Sequence, residues 1–102
     1  MPLASGAWMH VKWTRTALLN LDSAVEYIAK DRPMAAKDVG QKIWDTARLL
    51  ADHPGMGRPG RLPGTRELVI SGLPFILPYS KNNDSIYILR VMHTSMKWPK
   101  VF

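Results

Sequence analysis

The chain has 102 residues, no cysteine and a net charge of +6 at neutral pH. This length suits a single domain, and the lack of cysteine excludes disulfide bonds and metal sites built on thiolates. The hydrophobic fraction of 46% predicts a folded chain rather than a disordered one. No run approaches the roughly 18 apolar residues that a membrane span requires. Residues 1–10 lack a basic segment followed by an apolar one, so we expect no signal peptide and a cytoplasmic protein without membrane contact.

The positive charge lies almost entirely in the second half of the chain. Residues 54–102 contain seven Lys and Arg residues and two acidic ones, whereas residues 1–53 contain seven and six. A positively charged half favours a nucleic acid or an acidic protein as partner. The charge is also consistent with a basic domain that binds no anion specifically.

The first half of the chain predicts a leader, a strand and two helices. Residues 1–8 predict a flexible leader, because proline and glycine interrupt any pattern there, and residues 9–102 predict one domain. Residues 8–13 predict the first strand. The hydroxyl of Thr14 can then cap the helix that follows.

Apolar residues recur at helical spacing in two consecutive segments. In the first segment, which runs to about residue 30, the apolar face consists of Leu18, Leu21, Val25 and Ile28. The second segment begins at Pro33, and its apolar face consists of Ala36, Val39, Ile43, Ala47 and Leu50. The short connection predicts an antiparallel helical hairpin. Gly40 inside the second helix predicts a close approach between the two helices.

The second half of the chain predicts strands. Residues 55–64 contain four glycines and two prolines, a composition that excludes a helix or a regular strand. Strands are predicted over residues 66–70, 73–80 and 85–93, with a hairpin turn at residues 81–84. The last strand is expected to be the longest, with its central run buried on both faces. The predicted fold class is therefore α+β in the order β-α-α-β-β-β, with a helical hairpin packed on an antiparallel-rich sheet.

Pro78 interrupts the second of these three strands. Proline has no amide hydrogen to donate to a neighbouring strand. The strand is therefore expected to lie at an edge of the sheet there or to carry a bulge.

Arginine and histidine side chains are the candidate functional groups. The sequence contains no phosphate-binding loop, HExxH, GxSxG or dinucleotide motif, and we expect no metal or cofactor. The glycines of residues 55–64 precede no helix, so they are interpreted as turn residues. Adjacent strands can bring Arg61, Arg66, Arg90 and His93 onto one surface.

These residue types are suited in part to RNA cleavage by the 2′-hydroxyl group. That reaction needs a base, an acid and positive charge beside the phosphate. Arginine supplies the charge, and His93 can act as acid or base. No base accompanies them, because strand alternation points Glu67 away from the face that Arg66 uses. The alternative is that Arg66 and Arg90 form ion pairs or grip a partner chain.

Four segments of the sequence resemble the RelE/ParE superfamily of bacterial type II toxins, and the resemblance covers residues 9–99. The segments are VKWTRTALLNLDSAVEYIA, GRPGRLPGTRELVI, LPFILPYS and ILRVMHTSMKWP. The resemblance implies the β-α-α-β-β-β fold and a cognate antitoxin that wraps the toxin in a hetero-oligomer. RelE-like members cut mRNA in the ribosome without a metal. ParE-like members inhibit DNA gyrase and are not nucleases.

The resemblance also implies roles for single residues. Arg66 matches a phosphate-contacting arginine of several ribonuclease members, Arg90 matches an arginine near the end of the last strand, and His93 falls close to the acid–base position. Thr94 follows where some nucleases have tyrosine or phenylalanine. The loop before the second strand offers Arg61, Leu62 and Pro63, where the family has a base-bearing residue. These departures favour a gyrase inhibitor of the plasmid-stabilisation type, with a ribosome-dependent mRNA endonuclease as the alternative. The residues expected to bind a target or partner are Arg58, Arg61, Arg66, Arg90, His93, Lys97 and Trp98.

The antitoxin is expected to contribute an acidic amphipathic segment. Its predicted binding surfaces are the outer faces of the helical hairpin and the exposed edge of the sheet. Trp44 is a candidate for this contact, but it is equally a candidate for the core, where most large aromatic side chains lie.

Overall fold

Two helices lie against one face of a six-stranded sheet in the computed structural model, which describes residues 9–102. The helices are α1 (Arg15–Ala29) and α2 (Pro33–Arg48), and a 3₁₀ turn at Leu49–Ala51 follows α2. The strands are β1 (His10–Trp13), β2 (Arg58–Pro59), β3 (Arg66–Val69), β4 (Phe75–Asn82), β5 (Ser85–Ile88) and β6 (Met92–His93). The predicted leader at residues 1–8 lies outside the described residues. No helix within residues 9–102 is long and apolar enough to span a membrane.

The structure confirms three predictions about the helical hairpin: the cap at Thr14, the start of the second helix at Pro33 and the close approach at Gly40. Thr14 Oγ1 accepts a hydrogen bond from Ala17 N at 3.1 Å, which caps α1. Pro33 occupies the first turn of α2, where its missing amide hydrogen costs no hydrogen bond. A Cβ atom added to Gly40 would lie 3.1 Å from Val25 Cγ2, so the two helices approach each other closely at this glycine.

The buried face of α1 differs from the predicted one by about one position. Leu18 is 41% exposed, and the neighbouring Ala17 is fully buried instead. The residues of α1 that pack on the core are Ala17, Leu21, Ala24 and Ile28. Both sets have helical spacing, and Leu21 and Ile28 belong to both. Only packing against α2 and the sheet decides between them. The predicted face of α2 is confirmed, since Ala36, Ile43, Ala47 and Leu50 are buried and Val39 packs beside them.

The strands follow the order β1-β5-β4-β3-β2, and β6 pairs with the other end of β4. The β1–β5 pair is parallel and the other pairs are antiparallel, which confirms the α+β class. The segment predicted to contain no strand in fact contributes β2, in which Arg58 and Pro59 pair with Glu67 and Arg66. Proline is tolerated here because β2 is an edge strand of only two residues.

The last predicted strand, residues 85–93, is interrupted by a bulge. Between the pairs Tyr79–Ile88 and Ile76–Met92, two residues of β4 lie opposite three residues of the other strand. Pro78 explains the break, because it has no amide hydrogen for the Leu89 carbonyl group. That carbonyl oxygen instead accepts from Thr14 Oγ1 at 3.2 Å and from Arg90 Nη1 at 2.8 Å. The bulge expected from Pro78 therefore lies in the partner strand, and the central strand β4 is the longest one.

The two faces of the sheet differ in what covers them. The helix-bearing face carries the main core, which in β3, β4 and β5 includes Leu68, Ile70, Phe75, Leu77, Tyr79, Ile86 and Ile88. Alternation directs Glu67, Ile76 and Pro78 to the opposite face. We call this second face, which no helix covers, the open face. The predicted burial of both faces of β5 is only partial, because Tyr87 is half-buried.

Candidate functional site

Tyr79 attaches the glycine-rich segment to one end of the helix-bearing face. Its hydroxyl donates to Pro54 O at 2.8 Å and accepts from Gly57 N at 3.0 Å. Burial raises the pKa of the Tyr79 hydroxyl above its ordinary value of 10.0, against smaller opposing effects of the Gly57 amide and the Arg66 charge. Arg66 lies opposite Tyr79 in the sheet and donates from Nη1 to Gly57 O at 2.7 Å. Part of the Arg66 guanidinium therefore holds this segment in place.

A polar pocket of about 420 Å³ lies beside Arg66. Its lining includes a second cation, Lys81, and the hydroxyl-bearing residues Thr65 and Ser80. Asp and Glu side chains are absent from the residues that line it. The pocket can accept an anionic group, because both of its charged side chains are positive.

Glu67 is buried on the open face, where it forms ion pairs with two arginines. Its side chain is 2% exposed, and Oε1 accepts from Arg58 Nε at 3.1 Å. The other oxygen, Oε2, accepts from the backbone N of Arg61 at 2.8 Å and lies 3.7 Å from Arg61 Nε. Glu67 therefore points away from the Arg66 face, as predicted. Both carboxylate oxygens are engaged and the side chain is buried, so Glu67 is not accessible to the 2′-hydroxyl group of an RNA.

The C-terminal residues stack on two arginines. The Arg61 Cζ atom lies 3.9 Å from the centre of the Trp98 ring, and Arg90 Cζ lies 5.3 Å from the centre of the Phe102 ring. The two rings are in turn 6.0 Å apart at a tilt of 50°. We call this row of four side chains, Arg61, Trp98, Phe102 and Arg90, the aromatic ladder.

The aromatic ladder contains one unfavourable feature. The Trp98 Nε1 atom is buried and has no hydrogen-bond partner among the described residues. A buried donor without a partner costs about 1–3 kcal/mol, whereas an exposed contact between a cation and a ring contributes only about 0.5–1 kcal/mol. These opposing contributions are of similar size, so the contacts of the two guanidinium groups with the rings hold the C-terminal segment weakly.

His93 is engaged by the turn that follows β6. Its Nδ1 atom accepts from Ser95 N at 3.1 Å and lies 2.8 Å from Ser95 Oγ. A backbone amide can only donate, so these hydrogen bonds assign the acceptor to Nδ1 and the ring proton to Nε2. The ring also packs edge-on against Phe75 at 5.4 Å. Only Nε2 thus remains to exchange a proton with a ligand.

The four candidate residues for RNA cleavage do not share one surface. Arg66 and His93 lie opposite Tyr79 and Phe75, which are four residues apart on β4, or about 13 Å along the strand. Arg61 and Arg90 belong to the aromatic ladder instead. Strand alternation and the bulge after Ile88 produce this division. No group of three His, Asp or Glu side chains within residues 9–102 could hold a metal ion.

Trp44 is not part of the core. Its side chain is 39% exposed and stacks on Trp13 with the ring centres 5.0 Å apart. The surface beside it is a shallow depression lined by residues of both helices, including Leu21, Val25 and Gly40. Trp44 is therefore available for a contact on the outer face of the hairpin.

An apolar groove that the sequence did not reveal lies where α1 meets the residues that follow β6. It has a volume of about 380 Å³, and mainly apolar residues line it. Tyr27 on α1 is 75% exposed and Met96 is 52% exposed at this groove. Phe75 and His93 also line it. The signal in the sequence was Tyr27 itself, a large residue outside the apolar stripe of α1.

Comparisons with known proteins agree on one family. A family model described as the ParE toxin of the type II toxin–antitoxin system parDE matches residues 11–98. The chain is 45% identical over 91 residues to the putative toxin Y4kP of Sinorhizobium fredii, with 89% of this chain and 94% of that protein covered. It is 31% identical over 85 residues to the toxin RelE2 of Caulobacter vibrioides, with 83% and 94% covered. Among solved structures, a chain of the chromosomal ParDE TA system from P. aeruginosa gives a TM-score of 0.79 at 31% identity, with 85% of this chain and 97% of that chain covered.

Proposed function

Because the chain belongs to the ParE toxin family and is the toxin of a type II toxin–antitoxin pair, we propose that it arrests growth by binding to DNA gyrase and inhibiting it. Membership of this family implies a cognate antitoxin as partner. The target, the contact surfaces and the action in the cytoplasm are the parts that we propose.

The separation of the candidate cleavage residues carries the proposal that the toxin acts by binding. Arg66 and His93 lie near opposite ends of the helix-bearing side of β4, and Arg90 packs against Phe102. Cleavage of one phosphodiester needs its acid, base and positive charge within hydrogen-bond reach of the same few atoms. A protein that inhibits by contact needs no such convergence.

The open face is the surface that we propose for the target. Arg58 and Arg61 project from the segment that borders this face. Arg90 lies in the bulge opposite Pro78. Glu67, one of two acidic residues in residues 54–102, is buried and already paired. The surface is therefore strongly positive, and it suits an acidic region of a protein target.

For the antitoxin we propose the apolar groove between α1 and Met96. An amphipathic segment can place its apolar side chains against Tyr27, Phe75 and Met96. Acidic side chains on the same segment would then face Lys97, next in sequence to Met96, and the positive C-terminal half. This surface differs from the predicted one, which was the outer face of the hairpin and the sheet edge.

The second candidate function is a ribosome-dependent mRNA endonuclease. The polar pocket beside Arg66 favours it, because Lys81 and two hydroxyl-bearing residues surround the guanidinium and can hold a phosphate group. Under this alternative Arg66 binds the phosphate and His93 acts through Nε2. The chain would then have to change its conformation to bring His93 close to a phosphate held by Arg66.

An assay of DNA supercoiling decides between the two functions. The purified toxin should inhibit gyrase, and Arg90→Gln should weaken inhibition, whereas Arg48→Gln on the exposed side of α2 is the matched control. Messenger RNA ends should be mapped in cells that express the same variants. Unchanged supercoiling together with new codon-phased mRNA ends would refute the gyrase proposal and support the endonuclease.

A further inference from the structure

Residues 94–102 form no helix or strand, and beyond Met96 they run along the open face, where Trp98 and Phe102 stack on Arg61 and Arg90. Ile76, Pro78 and Met92 are buried, although Ile76 and its sheet neighbour Met92 point away from the helices. Neither Ile76 nor Met92 belongs to the core cluster on the helix-bearing face. Arg58 and Arg61 lie on this side of the sheet beside Glu67, and the aromatic ladder joins Arg61 to the C-terminal residues Trp98 and Phe102.

We propose that residues 94–102 form a strap that is closed over the open face in the isolated toxin and opens when this face binds an acidic surface of its protein target. This inference rests on the proposed function, in which the toxin acts by binding. It adds that the closed form is an autoinhibited one.

When the strap is closed, the guanidinium groups of Arg61 and Arg90 are covered by aromatic rings and bind a new partner poorly. Trp98 covers one face of the Arg61 guanidinium, and Glu67 approaches its Nε edge at 3.7 Å. Phe102 covers Arg90, whose Nη1 donates to Leu89 O at 2.8 Å. A carboxylate of a target protein needs the planar edge of a guanidinium for its strongest, two-bond contact. Opening the strap exposes the covered faces and allows both side chains to turn toward such a carboxylate.

The strap is anchored well at its start and weakly beyond it. Thr94 N donates to Pro74 O at 2.9 Å, and Met96 N donates to His93 O at 2.9 Å, so the turn that begins the strap is held by backbone hydrogen bonds. Beyond this turn, the ring contacts of Trp98 and Phe102 hold the segment, and the Trp98 Nε1 donor stays unpaired. Val101 is 78% exposed. The strap can therefore open by detaching the residues after Met96 while the turn at residues 94–96 stays in place.

The surface under the strap fits a protein rather than a nucleic-acid backbone. Opening exposes the apolar side chains of Ile76 and Met92 beside the cations Arg61 and Arg90. A phosphate backbone offers charge but no apolar groups to such a surface, whereas an acidic protein segment offers both. The occupant that we propose is therefore an acidic, partly apolar segment of the target protein.

The experiment measures how fast phenylglyoxal modifies each arginine, with mass spectrometry as the readout. Trp98→Ala should raise the rate at Arg61, and Phe102→Ala should raise it at Arg90. The expected rise is about two- to fivefold, the equilibrium factor that corresponds to one exposed contact between a cation and a ring. Val101→Ala is the matched control in the same segment, and Arg48, whose side chain is 71% exposed, is the internal standard. Equal rates in all variants would overturn the proposal that the strap covers the arginines.

The same variants are then compared for inhibition of gyrase. Phe102→Ala changes only the last residue of the sequence, so it tests the strap even if Trp98→Ala fails to fold. A lower inhibitory concentration for Phe102→Ala than for Val101→Ala supports the proposal. Loss of inhibition with an unchanged circular dichroism spectrum overturns it, because the strap would then be part of the contact. Tighter binding of a labelled DNA duplex without any change in inhibition overturns the choice of a protein partner.

Failure of the proposed function gives a different result. If neither the wild-type toxin nor any variant inhibits gyrase while expression still arrests growth, the proposed target is wrong. The arginine modification rates still decide whether the strap covers Arg61 and Arg90. Arrest of growth by Phe102→Ala at a lower expression level than by Val101→Ala then supports the autoinhibited closed form, and the reverse order overturns it.

Discussion

The two faces of the sheet are built from opposite kinds of contact. On the helix-bearing face, α1 and α2 bury aliphatic side chains such as Leu77 and Ile88 completely. On the open face, Ile76 and Met92 are also buried, but beside them a buried carboxylate pairs with two arginines and two arginines stack on aromatic rings. Apolar burial stabilises without regard to direction, whereas ion pairs and ring contacts require specific partners. The difference suggests that the helix-bearing face supplies most of the stability and that the open face is the part that a partner can rearrange.

The largest expected effect is on the helix-bearing face. Leu77→Ala removes a fully buried side chain from the central strand and should lower the free energy of unfolding by about 2–5 kcal/mol. Val69→Ala, at a position that is 47% exposed, should change it by less than about 1 kcal/mol. Urea unfolding followed by circular dichroism measures both. Equal losses for the two variants would contradict the division between the faces.

A smaller loss is expected when the charge network of the open face is broken. Glu67→Gln keeps the shape of the side chain but removes the charge that Arg58 and Arg61 share, and should cost about 1.5–3 kcal/mol of unfolding free energy. The two arginines stay half-exposed, so water limits the loss. Limited proteolysis should also detect a loosened segment at residues 55–64. Asp22→Asn, on the exposed side of α1, is the control that should change neither quantity.

Tyr79→Phe should cost about 1–2 kcal/mol, because the Gly57 amide loses its acceptor and the Pro54 carbonyl group loses its donor. The raised pKa of Tyr79 also predicts a pH dependence. The folded protein holds the proton more tightly than the unfolded chain, so this contribution to stability is complete below pH 10.0 and is lost as pH rises through the higher pKa of the folded state.

The dependence of stability on alkaline pH is measured as the urea concentration at which half of the protein is unfolded, between about pH 8 and about pH 11. The wild-type midpoint should fall more steeply with pH than the midpoint of Tyr79→Phe. Tyr27→Phe, at a position that is 75% exposed, should keep the wild-type slope. An identical slope for Tyr79→Phe would show that the hydroxyl of Tyr79 does not titrate with unfolding.

The smallest effect on stability is expected in the apolar groove. Tyr27→Ala should change the free energy of unfolding by no more than about 0.5 kcal/mol, because the side chain is mostly in solvent. The same change should weaken antitoxin binding about tenfold or more if Tyr27 anchors the partner. Isothermal titration with the antitoxin measures the affinity, and Tyr27→Phe should retain most of it. An unchanged affinity in Tyr27→Ala would place the antitoxin elsewhere.

Local features of the structure were the ones that sequence patterns predicted well. The cap at Thr14, the apolar face of α2 and the close approach at Gly40 depend on neighbours within a few positions or on one helix period. The missing amide hydrogen of Pro78 predicted a bulge, but in its own strand, whereas the structure places the bulge in the partner strand. The choice between Ala17 and Leu18 did not follow, because both fit the same helical period.

The sequence by itself determined the α+β order, the resemblance to ParE-like toxins and the positive charge of the second half. These features depend on composition, spacing and residue order along the chain. Only the tertiary structure decided that Arg66 and His93 lie far apart, that Glu67 is committed to Arg58 and Arg61, and that Trp98 and Phe102 stack on arginines. The physical reason is that these contacts join residues that are distant in sequence, and a single bulge or a turn of the chain determines which side chains meet.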